Sequence, residues 1–231
     1  MNFCFDLDGP IIDVTDRYYR AYLESLAETN AKNILSKEEF WKLKQVKVSE
    51  LEIGILSGLN LNEAKASSES RKNLSFFSEY LLQDKLFDDV YKTFDTLKAE
   101  NKIFFIITLR RKSHLDQAIK QFKLNKYLPE DRLFSLPDEH KIKNDVQEKY
   151  IMMVDAVNKL GLNPQDTCII GDSETDIHAG RLAKYKKIIA ITRGIRSKEQ
   201  LEILRPDYLI SGLTCLFQSH LRPNLMKTLL L

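Results

Sequence analysis

The stretch Asn2-Phe3-Cys4-Phe5-Asp6-Leu7-Asp8-Gly9-Pro10-Ile11-Ile12-Asp13 decides how the rest of the chain is read. Its first four residues are a short, largely apolar run with Phe3 and Phe5 on one face and Cys4 on the other, the pattern of a strand buried on both sides. The run stops abruptly at two aspartates separated by one residue and followed by glycine. A buried strand that ends in carboxylates and a turn places charge at a sheet edge, where open parallel sheets bind their ligands.

Similar runs recur outward from this one. Ile103–Ile107, Arg132–Ser135, Thr167–Ile170 and Lys187–Ile191 read as further strands, and Asp207–Ile210 as a weaker sixth. Helical periods lie between them, at Asp88–Glu100, Ser113–Phe122, Lys149–Leu160, Glu174–Lys184 and Lys198–Leu204. Gly161 and Pro164 mark one helix end. Strand and helix in alternation predict an α/β fold, a Rossmann-like doubly wound parallel sheet.

The alternation fails between Val14 and Phe87, where no strand-like run occurs. Tyr18, Tyr22 and Leu26 share one helical stripe; Phe40, Leu43 and Val46 a second; Leu74, Phe77, Tyr80 and Leu81 a third. Gly54, Gly58 and Asn60 read as a turn. The expectation is an all-helical insert after the first strand, spanning 14–87, with 1–13 and 88–231 forming the core.

The 231 residues suffice for one large core plus a smaller unit without structural disulfides or metals. Thirty-five basic and 33 acidic residues give a net charge of +2, which argues against a dedicated nucleic-acid surface. The longest apolar runs are about five residues, against the roughly 20 that span a bilayer, so no membrane association is expected. The N-terminus carries Asp6 and Asp8 where a signal peptide needs apolar residues. Cys4, Cys168 and Cys215 show no CxxC spacing, and Cys4 and Cys168 sit in strand-like runs. They read as reduced, buried thiols of a cytoplasmic protein.

Thr108 and Arg110 follow the second core strand; Gly171, Asp172, Ser173 and Asp176 follow the Thr167–Ile170 strand; Thr192, Arg193 and Gly194 follow Lys187–Ile191. Together with Asp6 and Asp8, several carboxylates and a hydroxyl converge on one edge. Packed carboxylates repel one another unless a cation lies among them. A few hard oxygen ligands without His or Cys point to Mg²⁺, which keeps open positions for a phosphate oxygen.

Asp6-Leu7-Asp8-Gly9-Pro10-Ile11-Ile12-Asp13 resembles the DxDGTLxD signature of the haloacid dehalogenase superfamily. Ile106-Ile107-Thr108 is similar to its second motif, and Gly171-Asp172-Ser173-Glu174-Thr175-Asp176 to its GDxxxD motif. The insert then resembles the small helical cap of the phosphoglycolate-phosphatase-like branch. The resemblance implies a Mg²⁺-dependent phosphatase that hydrolyses a small phosphomonoester. Asp6 would be the nucleophile that forms an aspartyl phosphate, and Asp8 the general acid and base. Thr108 would bind a phosphoryl oxygen, and Lys149 would be the third-motif lysine, with Lys143 in reserve. Mg²⁺ would be held by Asp6, the main-chain carbonyl of Asp8, and Asp172, with Asp176 supporting the metal or the lysine. Because Asp8 is present, phosphoryl transfer is favoured over carbon–halogen cleavage. A sugar phosphomutase of the same fold and a non-catalytic phosphate-binding module are the competing readings.

The sequence departs from the pattern at Pro10, which replaces Thr, and at Leu109-Arg110-Arg111. Arg110 is offered as an anion contact for the substrate, and Arg17, which opens the insert, as a second. Trp41–Lys47 reads as an amphipathic helix with a solvated side. His178 reads as a surface residue, and Arg193 as facing either the cleft or solvent. The apolar tail Leu225–Leu231 is expected to dock on the core.

Overall fold

The computed structural model describes residues 1–217, so the tail Leu225–Leu231 lies outside the described residues. Six parallel strands form the main sheet: β1 (Asn2–Phe5), β4 (Phe104–Arg111), β5 (Leu133–Leu136), β6 (Thr167–Gly171), β7 (Lys187–Ile191) and β8 (Tyr208–Ile210), in the order β5-β4-β1-β6-β7-β8. The remaining pair, β2 (Ile12–Asp13) and β3 (Lys85–Leu86), is antiparallel. The chain moves outward from β1 through β4 to β5, then returns to the other side of β1 and moves outward again from β6 to β8. The reversal sets a crevice beside β1 at the carboxyl ends of the strands.

Helices cover both faces. On one lie α6 (Val90–Ala99) and α7 (Lys112–Gln121); on the other α8 (Asp145–Lys159), α9 (Glu174–Leu182) and α10 (Lys198–Ile203). The period of two in the strands divides the core accordingly. Phe3, Phe5, Phe104 and Ile106 pack with Phe94 and Leu115, while Cys4, Phe105 and Ile107 pack with Met153, Ile177 and Leu201. The six sequence-read strands are all present. β6 runs one residue further than expected, to Gly171, and β4 runs on through Thr108 to Arg111. The β4–β5 register shifts between Ile107 and Arg111, an irregularity of the kind that re-aims side chains beside sites.

Between β2 and β3 the chain forms α1 (Thr15–Leu26), α2 (Lys37–Gln45), α3 (Glu50–Leu56), α4 (Leu61–Leu74) and α5 (Ser78–Leu81). Three of these begin with reciprocal caps. Ser36 with Glu39, Ser49 with Glu52 and Asn60 with Glu63 each satisfy two of the N–H groups that a helix start leaves open. Tyr22, Leu26, Phe40, Ile53 and Ala64 form a separate apolar cluster within the insert.

Several local expectations are corrected. Gly54 lies inside α3 rather than in a turn, and its bare Cα lets Ala64 of α4 pack close; the turn is made at Gly58, with φ +86°. The third stripe is interrupted because α4 ends at Leu74 and α5 starts at Ser78, which leaves Phe77 at the surface. The helix read from Lys149 begins at Asp145, with the Asn144 side chain accepting from Gln147 N at 3.0 Å. β2 and β3 are too short to carry a periodic signal.

Candidate active site

The strand ends surround a cavity of about 320 Å³ lined by Asp6, Asp8, Thr108, Arg110, Lys149 and Asp172, among others. Two charged assemblies meet there.

The first is built from the core alone. Asp6 leaves β1, and its N–H donates to Ile170 O of β6 at 2.9 Å. Lys149, on the second turn of α8, is 2% exposed and lies 2.8 Å from Asp6 Oδ1 and 2.5 Å from Asp176 Oδ1. Lys143 is exposed, so the structure brings Lys149 to the carboxylates and not Lys143. Asp176 caps α9, accepting from Ser173 Oγ at 2.7 Å and Ser173 N at 3.1 Å. Asp172 accepts from Ile195 N at 2.6 Å. Carboxylate oxygens of Asp6, Asp172 and Asp176 all lie within 4.8 Å of one another. Gly9, with φ +92°, and Gly194 press against Asp172, and a Cβ on either would overlap its carboxylate. These glycines let the backbone close around the acids.

Three buried carboxylates face one ammonium. Burial, with Asp176 and Asp6 nearby, pushes the Asp172 carboxyl well above the usual range. Burial also raises Asp6, against the pull of Lys149. For Lys149 burial disfavours the charge, but Asp176 and Asp6 outweigh it and hold the ammonium protonated. This surplus of hard oxygen donors fits a divalent cation such as Mg²⁺.

The second assembly spans core and insert. Arg17 of α1 is fully buried, with Nη2 2.9 Å from Asp8 Oδ2 and Nε 3.1 Å from Asp84 Oδ1. Arg110 of β4 is 2.6 Å from Asp8 Oδ1 and 2.5 Å from Asp84 Oδ2. Burial pushes Asp8 up, yet Arg110 and Arg17 more than offset it and hold the carboxyl below its ordinary range. The Asp8 side chain therefore points to the arginines and is not among the three clustered acids. Thr108, 2% exposed, accepts from Arg110 N at 3.1 Å.

The sequence reading missed Asp84. It stands at the insert's return to the core, outside any motif, and only its burial marks it. Arg193 does not line the cavity: it pairs with Asp89 at 2.7 Å, meets the Pro10 carbonyl and lies over the Phe87 ring. His178 is exposed, as expected. The bases of the Trp41–Lys47 stretch meet acids: Lys42 pairs with Glu38, Lys44 with Glu50 and Lys47 with Glu174. Trp41 packs edge-on against Tyr18.

The chain is similar to known proteins over most of its length. It is 22% identical over 222 residues to pyrophosphatase PpaX from Bacillus cereus (strain AH820), which covers 91% of each chain. A predicted phosphoglycolate phosphatase from Haemophilus somnus 129pt superposes with a TM-score of 0.69 at 18% identity, over 93% of this chain and 95% of that one. A haloacid dehalogenase family hydrolase from Deinococcus radiodurans R1, solved with bound phosphate and sodium, superposes with a TM-score of 0.69 at 14% identity, over 93% of this chain and 92% of that one. The family model of haloacid dehalogenase-like hydrolases matches residues 1–184, which include both charged assemblies. The chain is thus an enzyme of the haloacid dehalogenase-like hydrolase family.

Proposed function

We propose that this enzyme is a Mg²⁺-dependent phosphatase that hydrolyses a small phosphomonoester through an aspartyl phosphate on Asp6. The observation that carries the reading is the placement of the Asp6 carboxylate at the open end of β1, against Lys149 and within 4.8 Å of Asp172 and Asp176. The names of the PpaX relative and of the Haemophilus somnus structure agree with phosphoryl chemistry.

Mg²⁺ would be held by Asp6, the Asp8 carbonyl and Asp172, with Asp176 in support, and would neutralise phosphoryl charge as the carboxylate approaches. Lys149 serves the same end from the protein side and keeps Asp6 oriented. An Asp6 oxygen attacks phosphorus in line and the phosphorus–oxygen bond to the leaving group breaks. Asp8, ionised while it pairs with Arg110 and Arg17, must turn from them and take up a proton before it gives one to the departing oxygen. Water then attacks the phosphoryl group, Asp8 takes its proton, and phosphate departs. Thr108 donates its hydroxyl to a phosphoryl oxygen. Arg110, which lines the cavity, would bind an anionic part of the substrate. Arg17, expected from the sequence as a second anion contact, is fully buried, does not line the cavity and instead holds Asp8 and Asp84 in place. The insert, 14–87, acts as a cap over the core of 1–13 and 88–231, and its closure excludes bulk water. A cytoplasmic setting agrees with the free thiols of Cys4, Cys168 and Cys215. Among the described residues no helix is long and apolar enough to cross a membrane.

The test is phosphate release from p-nitrophenyl phosphate and a panel of metabolite phosphates, with Mg²⁺ and with EDTA. Acid-quenched mass spectrometry of Asp8→Asn, mixed with an aryl phosphate and Mg²⁺, should find one phosphoryl group on the peptide containing Asp6. A good leaving group needs little acid help, and the trapped intermediate lacks its base. Metal-independent turnover, or a phosphoryl group on any other residue, would overturn the reading.

A further inference from the structure

A second cavity, of about 440 Å³, adjoins the first and shares Phe76, Leu109 and Ile142 with it. Its chemistry differs sharply from that of the acid-rich strand ends. Planar groups dominate its walls: the rings of Phe76, Phe77, His114 and His140, and the guanidinium of Arg111. Phe76 and His114 are parallel within 9°, their ring centres 5.9 Å apart. Phe76 is 46% exposed and Phe77 54%, because the turn between α4 and α5 lifts both out of the insert's own core. Two adjacent aromatic rings in water forgo the burial that such side chains usually gain.

The polar groups in this cavity narrow what it accepts. Among the described residues no carboxylate lines it; its polar groups are Asn73, Arg111 and the two imidazoles. That set suits a neutral or electron-rich partner with hydrogen-bond acceptors, and disfavours a cation. His140 already meets Glu148 at 3.1 Å. His140 Nε2 makes no hydrogen bond to that acid. His114 Nδ1 is likewise shielded from water without a hydrogen-bond partner, and among the described residues it has no acid beside it in an ion pair. Burial lowers the His114 pKa, and Arg110 and Arg111 lower it further, so the ring is neutral near pH 7, with one donor and one acceptor nitrogen. A buried polar atom without a partner carries a desolvation cost that a ligand atom would relieve.

We propose that this groove is the leaving-group subsite of the enzyme and takes the flat heteroaromatic ring of a nucleoside monophosphate. The inference rests on the phosphatase reading only for the position of the phosphate. With the phosphoryl group at Asp6, the sugar passes Leu109 and Ile142, which border both cavities. The base then extends the stack that Phe76 and His114 begin, and its ring edge meets the free imidazole nitrogen. Alkyl phosphates reach the first cavity and leave the second empty.

Two measurements separate this inference from the reading it builds on. Adenosine carries no phosphate, so its binding without Mg²⁺ reports the groove alone. Saturation-transfer NMR should give stronger saturation on the base protons than on the ribose protons. Phe77→Ala and His114→Ala should each weaken adenosine binding by up to about tenfold. In turnover, adenosine 5′-monophosphate should be preferred to glycerol 3-phosphate, and the two variants should lower that preference through KM. Phe77 is half exposed, so its variant folds even if His114→Ala does not, and thermal melts check both. Adenosine binding without turnover of any phosphate ester would support the subsite while removing the phosphatase reading. Turnover of glycerol 3-phosphate as fast as the nucleotide, with no adenosine binding, would overturn the subsite and leave the phosphatase standing. Saturation centred on the ribose, or variants that bind adenosine like the wild type, would also overturn it.

Discussion

The two charged assemblies at the strand ends are built from similar parts and balanced differently. Around Lys149, three aspartates face one cation, and all four groups belong to the core. Around Asp8, two aspartates face two arginines, and Arg17 and Asp84 come from the insert while Asp8 and Arg110 come from the core. The first assembly has a surplus of negative charge, which fits a cation among its carboxylates. The second is electrically closed and ties the insert to the loop that carries Asp8. Acceptor surplus thus marks chemistry, and balance marks positioning.

The sharpest break of this comparison is Asp6→Asn. The amide is nearly isosteric and a poor nucleophile, so turnover should fall by several powers of ten while the melting curve stays near that of the wild type. Retention of activity within about tenfold would remove Asp6 from the covalent step.

The balanced assembly should show itself in stability. Asp84→Ala leaves two buried guanidinium groups with only Asp8 between them. Losing one member of such a buried network costs about 3–5 kcal/mol. Chemical denaturation of Asp84→Ala against wild type measures it. A loss under about 1 kcal/mol would mean that Asp8 alone satisfies both arginines.

How far these assemblies could be read from the sequence follows from distance along the chain. Asp6 and Asp172 stand at the ends of apolar runs, so the strand pattern itself places them at one edge; Asp176 joins them one turn later, from the first turn of α9. Arg17 and Arg110 were legible as cations near the site, yet their partners were not. Asp84 comes just past the stripe that ends at Tyr80 and Leu81, in a stretch with no motif of its own, and the β2–β3 pairing brings that stretch back to the core beside Arg110. Lys149 is read from the family resemblance together with a helical run taken to open at Lys149 and end at Gly161; the helix in fact opens four residues earlier, at Asp145 under the Asn144 cap, which puts Lys149 on its second turn. The α4–α5 break at Ser75–Phe77 was hidden because Leu74, Phe77 and Leu81 keep helical spacing across a turn. Spacing records what a helix would bury and carries no mark of where the helix stops.

Metal titration sharpens the comparison at a smaller scale. Mg²⁺ should raise the melting temperature by roughly 5–10 °C at saturation, by mass action on the folded state. Asp172→Asn should abolish most of that shift, because it removes a ligand from the acid-rich assembly. Asp84→Asn should keep the shift, from whatever lower starting temperature it has. An equal loss in both variants would show that the two assemblies act as one.

The smallest effect is expected one residue away from the largest structural one. Arg17 pairs with Asp84 inside the protein; Asp16 pairs with Lys85 just outside, across the same two chain segments, and with Lys37 at 2.7 Å. Side-chain exposure is 0% and 1% in the inner pair, against 28% for Asp16, 51% for Lys37 and 68% for Lys85. Water and salt screen the outer pairs, so Asp16→Asn should cost less than about 1 kcal/mol. Hydrogen bonds from Lys37 and then Lys85 lower the Asp16 pKa in the folded protein. An acid whose folded pKa is depressed contributes stability above its unfolded value, near 4, and loses it as pH falls through the lower folded value. The difference between wild type and Asp16→Asn should therefore be full at pH 7, shrink below about pH 4, and shrink also in high salt. Denaturation at pH 7 and pH 3, each at low and high ionic strength, checks the sign. A difference that grew on acidification would mean that Asp16 is stabilised by something other than its two lysines.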